Sequence, residues 1–309
     1  MRIGVVGATG YVGAEVVRWL MAHDVEVVPI STRRAGVPLS EVVPGLLGIA
    51  DQVIQPFASA AEVDVAVLAT PHGAAAGLMR DLASVPVVLD CSADHRHAAG
   101  WVYGMAEWRA EDLRGARRIA VPGCFATAIA LALAPLATAG VLSGAVQVAA
   151  ATGSTGSGAS AKEATHHPAR FANLKAYKVL AHQHVPEVEA FLSSLGGRPS
   201  LHFVPLSLPL DRGIFATCFA TVDPDIDVDA LFADAYADAP HVRIRAGSPE
   251  LRWVRGTSFC DLAVHRQGDQ VVVLSAIDNL GKGAAGQAVQ CLQLALDLPT
   301  RTRMAPCTP

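Results

Sequence analysis

Cys124 is the residue best placed in this chain for covalent chemistry. It follows an apolar run, Arg118-Ile119-Ala120-Val121, that reads as a strand, and Pro122 and Gly123 break that strand. The stretch from Ala126 to Ala139 is rich in Ala and Leu and reads as a helix. The thiol is therefore expected on a sharp turn near the first turn of a helix. Unpaired N–H groups and the positive end of the helix dipole stabilise an anion there. That setting lowers a cysteine pKa and makes a thiolate nucleophile. A small buried apolar cysteine suits the same position, so position alone leaves both readings open.

A thiolate nucleophile needs a proton partner, and histidines cluster in two places. One is His166-His167-Pro168; the other is His182-Gln183-His184-Val185-Pro186-Glu187. The spacings i,i+1 and i,i+2 are not the i,i+4 spacing of a helical zinc site, and no Cys-x-x-Cys pair supports one. No metal is expected. A histidine titrating near neutral pH as acid–base partner to Cys124 is the stronger idea.

Three further stretches suit phosphate. Ile3-Gly4-Val5-Val6 reads as a strand, Gly7-x-x-Gly10-x-x-Gly13 follows, and Ala14 to Ala22 has helical period. In that setting the glycines let backbone approach a pyrophosphate resting on the helix N-terminus. The second strand, Glu26 to Ile30, ends in Ser31-Thr32-Arg33-Arg34, where an NAD enzyme usually carries an acid for the ribose 2′-hydroxyl. Hydroxyls and guanidinium groups suit a 2′-phosphate, so NADP(H) is expected. Thr152 to Ser160 is rich in Gly and Ser. It reads as a flexible linker or, between strands in an apolar chain, as a backbone nest for an anion.

The elements that must position these residues alternate. Strands over Asp64–Ala69 and Val85–Asp90 are expected to end at the cofactor crevice, in Thr70-Pro71-His72-Gly73 and Cys91-Ser92-Ala93-Asp94. His72 there caps a helix or packs a loop more readily than it touches cofactor. After Ala145–Ala151, strands over Leu201–Leu206, Ile214–Thr221, Leu262–His265 and Gln270–Ile277 suggest an antiparallel sheet, with a helix over Asp229–Ala237. Asp278 to Gly283 reads as a loop, Ala284 to Leu296 as a last amphipathic helix, and the tail from Pro299 as loose.

Length and composition set the bounds. A chain of 309 residues suggests about two domains. Apolar residues make up 51% and charged residues 17%, which excludes disorder. The net charge is −4 with no basic tract, so neither nucleic acid nor an anionic membrane is an expected partner. The six cysteines lack paired spacing, and no apolar run is long enough for a bilayer. A cytoplasmic protein is expected.

Several motifs, taken in order, carry a resemblance. They are Gly7-Ala8-Thr9-Gly10-Tyr11-Val12-Gly13, Ser92-Ala93-Asp94, Tyr103-Gly104-Met105-Ala106-Glu107 and Pro122-Gly123-Cys124-Phe125-Ala126-Thr127-Ala128. His182-Gln183-His184-Val185-Pro186-Glu187, Arg212-Gly213-Ile214, Val254-Arg255-Gly256-Thr257 and Ala276 to Gly283 follow. The chain resembles the N-acetyl-γ-glutamyl-phosphate reductases and their relatives that reduce a carrier-linked aminoadipyl or glutamyl phosphate. The resemblance implies an α/β fold: a doubly wound Rossmann domain over 1–123, completed by 284–309, and an α+β catalytic and dimerisation domain over 124–283.

It implies an enzyme of arginine-type amino-acid biosynthesis that reduces an acyl phosphate to a semialdehyde with NADPH. Cys124 would attack the acyl phosphate, and the resulting thioester would accept hydride. His184 matches the family's acid–base histidine, with Glu187 beside it. Gly7, Thr9, Gly10, Tyr11, Val12, Gly13, Ser31, Arg33, Arg34 and Asn279 are expected at the cofactor, Ser154 and Arg212 at the substrate. The substrate is a small acyl phosphate, free or tethered to a small acidic carrier protein, and the assembly a homodimer or homotetramer. Val121, Phe125, Gln183 and Ser258 depart from the family's usual residues. His166-His167-Pro168-Ala169-Arg170 looks more like the carrier-linked branch. An aspartate-semialdehyde dehydrogenase shares the cysteine–histidine logic, but Cys-x-x-Thr-Ala and His-Gln-His-x-Pro-Glu speak against it. A non-catalytic NADP-binding protein would need neither Cys124 nor His184.

Overall fold

The computed structural model describes residues 1–300. The expected loose tail lies, from residue 301 on, outside them. The chain divides into two compact units, Met1–Gly123 together with the segment from Ala284, and Cys124–Gly283.

The first unit is built on six parallel strands: β1 (Arg2–Val6), β2 (Glu26–Ile30), β3 (Val65–Leu68), β4 (Val87–Asp90), β5 (Val102–Tyr103) and β6 (Arg118–Ala120). Their order is β2-β1-β3-β4-β6-β5. Every residue of β3 and β4 is buried, as continuous apolar strands are when both faces of a parallel sheet are covered. The helices are α1 (Tyr11–Leu20), α2 (Leu39–Val42), α3 (Ala75–Leu78) and α4 (Ala110–Leu113). The strand order reverses between β1 and β3, which opens a crevice beyond their carboxyl ends.

The second unit is built on seven strands: β7 (Ser143–Thr152), β8 (Lys175–Ala176), β9 (Arg198–Ser207), β10 (Ile214–Thr221), β11 (Val242–Ile244), β12 (Cys260–Gln267) and β13 (Gln270–Ile277). They run in the order β11-β12-β13-β10-β7-β9-β8. Its helices are α5 (Cys124–Thr138), α6 (His167–Arg170), α7 (His184–Ser194), α8 (Val228–Ala235) and α9 (Leu251–Val254). The expected sheet was antiparallel throughout, but β7 pairs with β9 in parallel along ten residues, and β11 with β12. Period-two alternation reports the pleat and not the direction of a neighbour.

α5 is apolar around its whole circumference, and Phe125 to Ala137 is buried without interruption. Pro135 inside it has no N–H to give the Leu131 carbonyl; the Tyr236 hydroxyl donates to that carbonyl instead, at 2.5 Å. One face of the sheet is closed, with Phe203, Val148, Cys218 and Val273 in one buried cross-strand row. The alternate row, Val204, Ala149, Thr217 and Leu274, is only half-buried, and Phe219 on that face is 41% exposed.

The chain then returns to the first unit as α10 (Gly286–Ala295), which packs against α1. Gln287 Nε2 donates to the Gly104 carbonyl at 2.8 Å and Gln290 Nε2 to Glu107 Oε1 at 2.8 Å, so the Tyr103-Gly104-Met105-Ala106-Glu107 motif serves as its seat. The stretch expected as a loop before it winds instead into a π-helical turn, Gly281–Ala285. Among the described residues no helix is long and apolar enough to cross a membrane.

Candidate active site

In the first unit the glycine turn is fixed by steric need. Gly7 has φ +87°, and a Cβ there would stand 2.4 Å from the Ala69 carbonyl oxygen at the end of β3. A Cβ on Gly13 would stand 2.2 Å from the Gly7 oxygen. Gly10 precedes α1, and the Ala14 N–H makes the first intrahelical bond, to the Gly10 carbonyl at 2.9 Å. The amides of Tyr11, Val12 and Gly13 come before that bond and form the open donor end of the helix. Backbone held this close, ending in free donors at the switch point, fits a dinucleotide pyrophosphate. Thr9 lies within this turn. At the end of β2, buried Ser31 accepts the Arg33 N–H at 3.2 Å, while the Arg33 and Arg34 side chains are exposed beside it.

The neighbouring strand ends are braced by carboxylates. Buried Asp90 accepts bonds from the Ser92 N–H (2.7 Å) and hydroxyl (2.9 Å) and lies 2.6 Å from His95 Nδ1, whose ring stacks on Trp101. Asp94 accepts from the Gly73 and Ala76 amides at 2.7 and 3.2 Å. Burial alone would raise its pKa, but these amides, with Ala75 and the Ser92 hydroxyl, hold it below the usual carboxylate value. His72 takes the loop-packing role: its Nδ1 accepts the Ala93 N–H at 3.0 Å. Sequence reading left this brace unseen, although Ser92-Ala93-Asp94 carried a signal for it.

In the second unit Cys124 is the first residue of α5 and His184 the first residue of α7, so each stands at a helix N-terminus. The two helices pack against each other. Phe125, bonded to Cys124, presents its ring to both His182 and His184, with centroids at 5.5 and 6.1 Å. Phe125 thus gives both imidazoles an apolar neighbour next to the thiol-bearing residue. His184 Nε2 lies 4.0 Å from Glu187 Oε2, one helical turn on, and both side chains are almost fully buried. Space for the thiol is kept by Gly283, whose Cβ would fall 2.9 Å from that of Cys124.

The remaining expected residues form a frame beside this pair. Buried Asp278 accepts from Arg212 Nε at 3.2 Å and from the amides of Gly256, Leu280 and Gly281 at 2.6, 2.9 and 3.1 Å. Asn279 was expected at the cofactor; its Oδ1 accepts the Gly213 N–H at 2.7 Å and its Nδ2 donates to the Thr155 hydroxyl at 3.0 Å. The anion nest expected over 152–160 does not form at its start. The amides of Gly153, Ser154 and Thr155 are consumed by the carbonyls of Gly213, Leu210 and Asp211. Those bonds fasten the Ser154 turn to the Arg212 turn. Ser258 holds buried His241 by a 2.8 Å contact to Nδ1, and Gln183 accepts from Lys178 at 3.1 Å. Among the described residues no group of His, Cys, Asp and Glu has a geometry that would hold a metal.

Tyr177 is a residue that sequence reasoning missed. Its ring meets His182 edge-on at 5.9 Å. Burial, and then the charge of Cys124, push its phenol up to about 12, against the pull of Arg170. It is a neutral hydroxyl within electrostatic reach of the thiol.

Two family models match the chain: the NAD binding domain of semialdehyde dehydrogenases over residues 2–116, and their dimerisation domain over residues 124–279. Solved structures agree in fold. The aspartate semialdehyde dehydrogenase II of Vibrio cholerae matches with TM-score 0.79 at 16% identity, covering 96% of this chain and 98% of that one. The aspartate semialdehyde dehydrogenase with NADP from Candida albicans matches with TM-score 0.71 at 14% identity, covering 96% and 99%. Fold and family models together define an oxidoreductase of the semialdehyde dehydrogenase type. The N-acetyl-gamma-glutamyl-phosphate reductase of Pseudomonas savastanoi pv. phaseolicola is 40% identical over 99% of this chain and 98% of its own. That of Saccharopolyspora erythraea is 38% identical over 98% and 97%. The chain belongs to the N-acetyl-gamma-glutamyl-phosphate reductase family.

Proposed function

We propose that this protein reduces N-acetyl-γ-glutamyl phosphate to the γ-semialdehyde in arginine biosynthesis, in the cytoplasm, through a thioester on Cys124. The observation that carries the reading is the meeting of two helix N-termini, one headed by Cys124 and the other by His184, across Phe125. His184 takes the proton of Cys124. The thiolate attacks the acyl carbon, the C–O bond to phosphate breaks, and inorganic phosphate leaves a thioester. The nicotinamide cofactor, when bound, supplies the hydride for the thioester carbon. His184, held by Glu187, gives a proton to the carbonyl oxygen and takes it back as the hemithioacetal C–S bond breaks, releasing the aldehyde and the Cys124 thiolate. Ser154 and Arg212 hold the substrate.

Gly7, Thr9, Gly10, Tyr11, Val12 and Gly13 hold the cofactor pyrophosphate, and Ser31, Arg33 and Arg34 the 2′-phosphate. NADP is therefore preferred over NAD. The half-buried sheet face mediates assembly into a homodimer or homotetramer, in line with the dimerisation domain matched by residues 124–279. The free acetylated substrate is chosen over a carrier-linked one because the relatives at about 40% identity are named for it.

The test is the reverse reaction with NADP, inorganic phosphate and a panel of semialdehydes. N-acetylglutamate γ-semialdehyde should be oxidised only when phosphate is present. Replacing Arg33 and Arg34 by Ala should raise the KM for NADP roughly 10- to 100-fold, from lost charge-assisted bonds. Turnover without phosphate, or turnover only of a carrier-linked aldehyde, contradicts the reading. Equal use of NAD and NADP contradicts the cofactor assignment.

A further inference from the structure

Arg170 ends α6 in the second unit, at the carboxyl end of β7. Its Nη2 donates to the Thr152 carbonyl at 3.3 Å. That carbonyl already accepts the Leu208 N–H at 2.9 Å, so it does not depend on arginine. Arg170 Nε is buried and has no hydrogen-bond partner among the described residues. Two other half-buried arginines of this unit face carboxylates, Arg212 on Asp278 and Arg243 on Asp261, while half-buried Arg266 donates to four backbone carbonyls. Among the described residues no carboxylate pairs with Arg170. Burial pushes its pKa down, and the only opposing influence is Tyr177, a phenol that is itself neutral. A buried guanidinium edge without a counter-charge is costly unless an anion arrives to meet it.

The placement says which anion. Thr152 leads directly into the turn of Ser154, and that turn is bonded to the Arg212 turn through Gly153 and Gly213. Tyr177 stands within electrostatic reach of both Arg170 and Cys124. The Tyr177 ring also meets His182 at 5.9 Å, and His182 meets Phe125, the neighbour of Cys124, at 5.5 Å, so Tyr177 links the guanidinium to the surroundings of the thiol. The planar fork of Arg170 matches an oxyanion in two-point contact, which a lysine would not reproduce.

We propose that Arg170 is the oxyanion receptor of this site, its Nε edge binding a phosphate or carboxylate group of the substrate beside Cys124. The proposal rests on the acyl-phosphate reading above, whose substrate carries both groups. The two sources of oxyanion are separated by titrating the full-length protein calorimetrically with inorganic phosphate and, separately, with N-acetyl-L-glutamate. Neither titration requires turnover. Wild-type protein should bind at least one probe, and Arg170→Gln should bind that probe roughly 10- to 100-fold more weakly, the loss expected for charge-assisted bonds. Arg170→Lys should recover only part of it. A loss confined to phosphate assigns the leaving group; a loss confined to N-acetyl-L-glutamate assigns the carboxylate. Thermal unfolding of both variants should match wild type, since Leu208 keeps the Thr152 carbonyl bonded. The proposal is overturned if wild type binds neither probe, if Arg170→Gln binds both as wild type does, or if its loss of binding is matched by a loss of folding that Arg170→Lys restores in full. A failed reverse reaction with intact probe binding through Arg170 would instead remove the acyl-phosphate reading and leave the receptor in place.

Discussion

His182 and His184 share an aromatic enclosure with Phe125 and Phe203, yet their nitrogens face different surroundings. His182 Nδ1 accepts the His184 N–H at 3.2 Å, and burial, then the Lys178 ammonium, push its pKa down to about 4. It is neutral at physiological pH and donates no proton there from Nδ1. His184 Nε2 faces Glu187 one turn on, which orients the ring. We therefore expect His184→Asn to lower turnover roughly 10²- to 10⁴-fold with NADPH affinity unchanged. Combined with Cys124→Ser it should cost little more than Cys124→Ser alone, since both act on one event. Steady-state rates with a parallel binding titration check this. The folded pKa of His182 lies below the unfolded value of 6.5, so between pH 6.5 and about 4 the unfolded chain takes up a proton that the folded protein refuses. Its contribution to stability falls as pH drops through that window. Denaturant unfolding at pH 7 and pH 4.5 should show a smaller loss in His182→Asn than in wild type. Cys124 and His184 were legible in the sequence because a Pro-Gly break before an Ala-rich run and a His-rich helix start are local signals. Tyr177 and Arg170 were not: Tyr177 reaches His182 from the end of β8, which pairs with β9 about thirty residues on, and Arg170 reaches back to the Thr152 carbonyl.

Among the elements, the glycine turn was the most legible and yields the sharpest contrast. A Cβ on Gly7 would enter the Ala69 carbonyl, and φ +87° is strained for any L side chain, whereas a Cβ on Gly10 meets only the Gly7 oxygen at 3.5 Å. Gly7→Ala should destabilise the fold by at least about 1–3 kcal/mol, the usual cost of such backbone strain. Gly10→Ala should leave the melting temperature near that of wild type, and equal melting of both variants would contradict the steric account. Strand positions in both sheets were readable from apolar runs and alternation, since both follow from the pleat. The parallel register of β7 and β9 was hidden because direction is set by the crossover that contains α7. The π-helical turn was hidden because Gly-Lys-Gly reads as a loop. Its glycines are there for close approach, with the Gly281 Cβ position only 2.1 Å from the Thr257 carbonyl oxygen. The start of the expected anion nest was diverted for a related reason: Gly and Ser content marks pliable backbone, and pairing with the 210–213 segment decided where the amides of Gly153, Ser154 and Thr155 went.

At the scale of the whole molecule, the seven-stranded sheet buries one face and leaves the other half-buried, with Phe219 at its surface. Apolar surface of that kind is what an assembly covers. Light scattering at micromolar concentration should give at least a dimer, and Phe219→Asp should shift the mass toward monomer; a monomeric wild type would contradict the assembly proposed. The whole chain matches relatives along nearly its full length, and what unites the account across that length is the covalent step at Cys124. That step is open to direct observation. The protein is mixed with N-acetyl-γ-glutamyl phosphate in the absence of NADPH, quenched in acid, and its intact mass recorded. We expect one acyl group per chain, mapped by peptide analysis to Cys124, removed by hydroxylamine as thioesters are, and missing from Cys124→Ser. Wild-type protein that turns over with NADPH yet shows no acylation, or carries the acyl group on another residue, would contradict the mechanism.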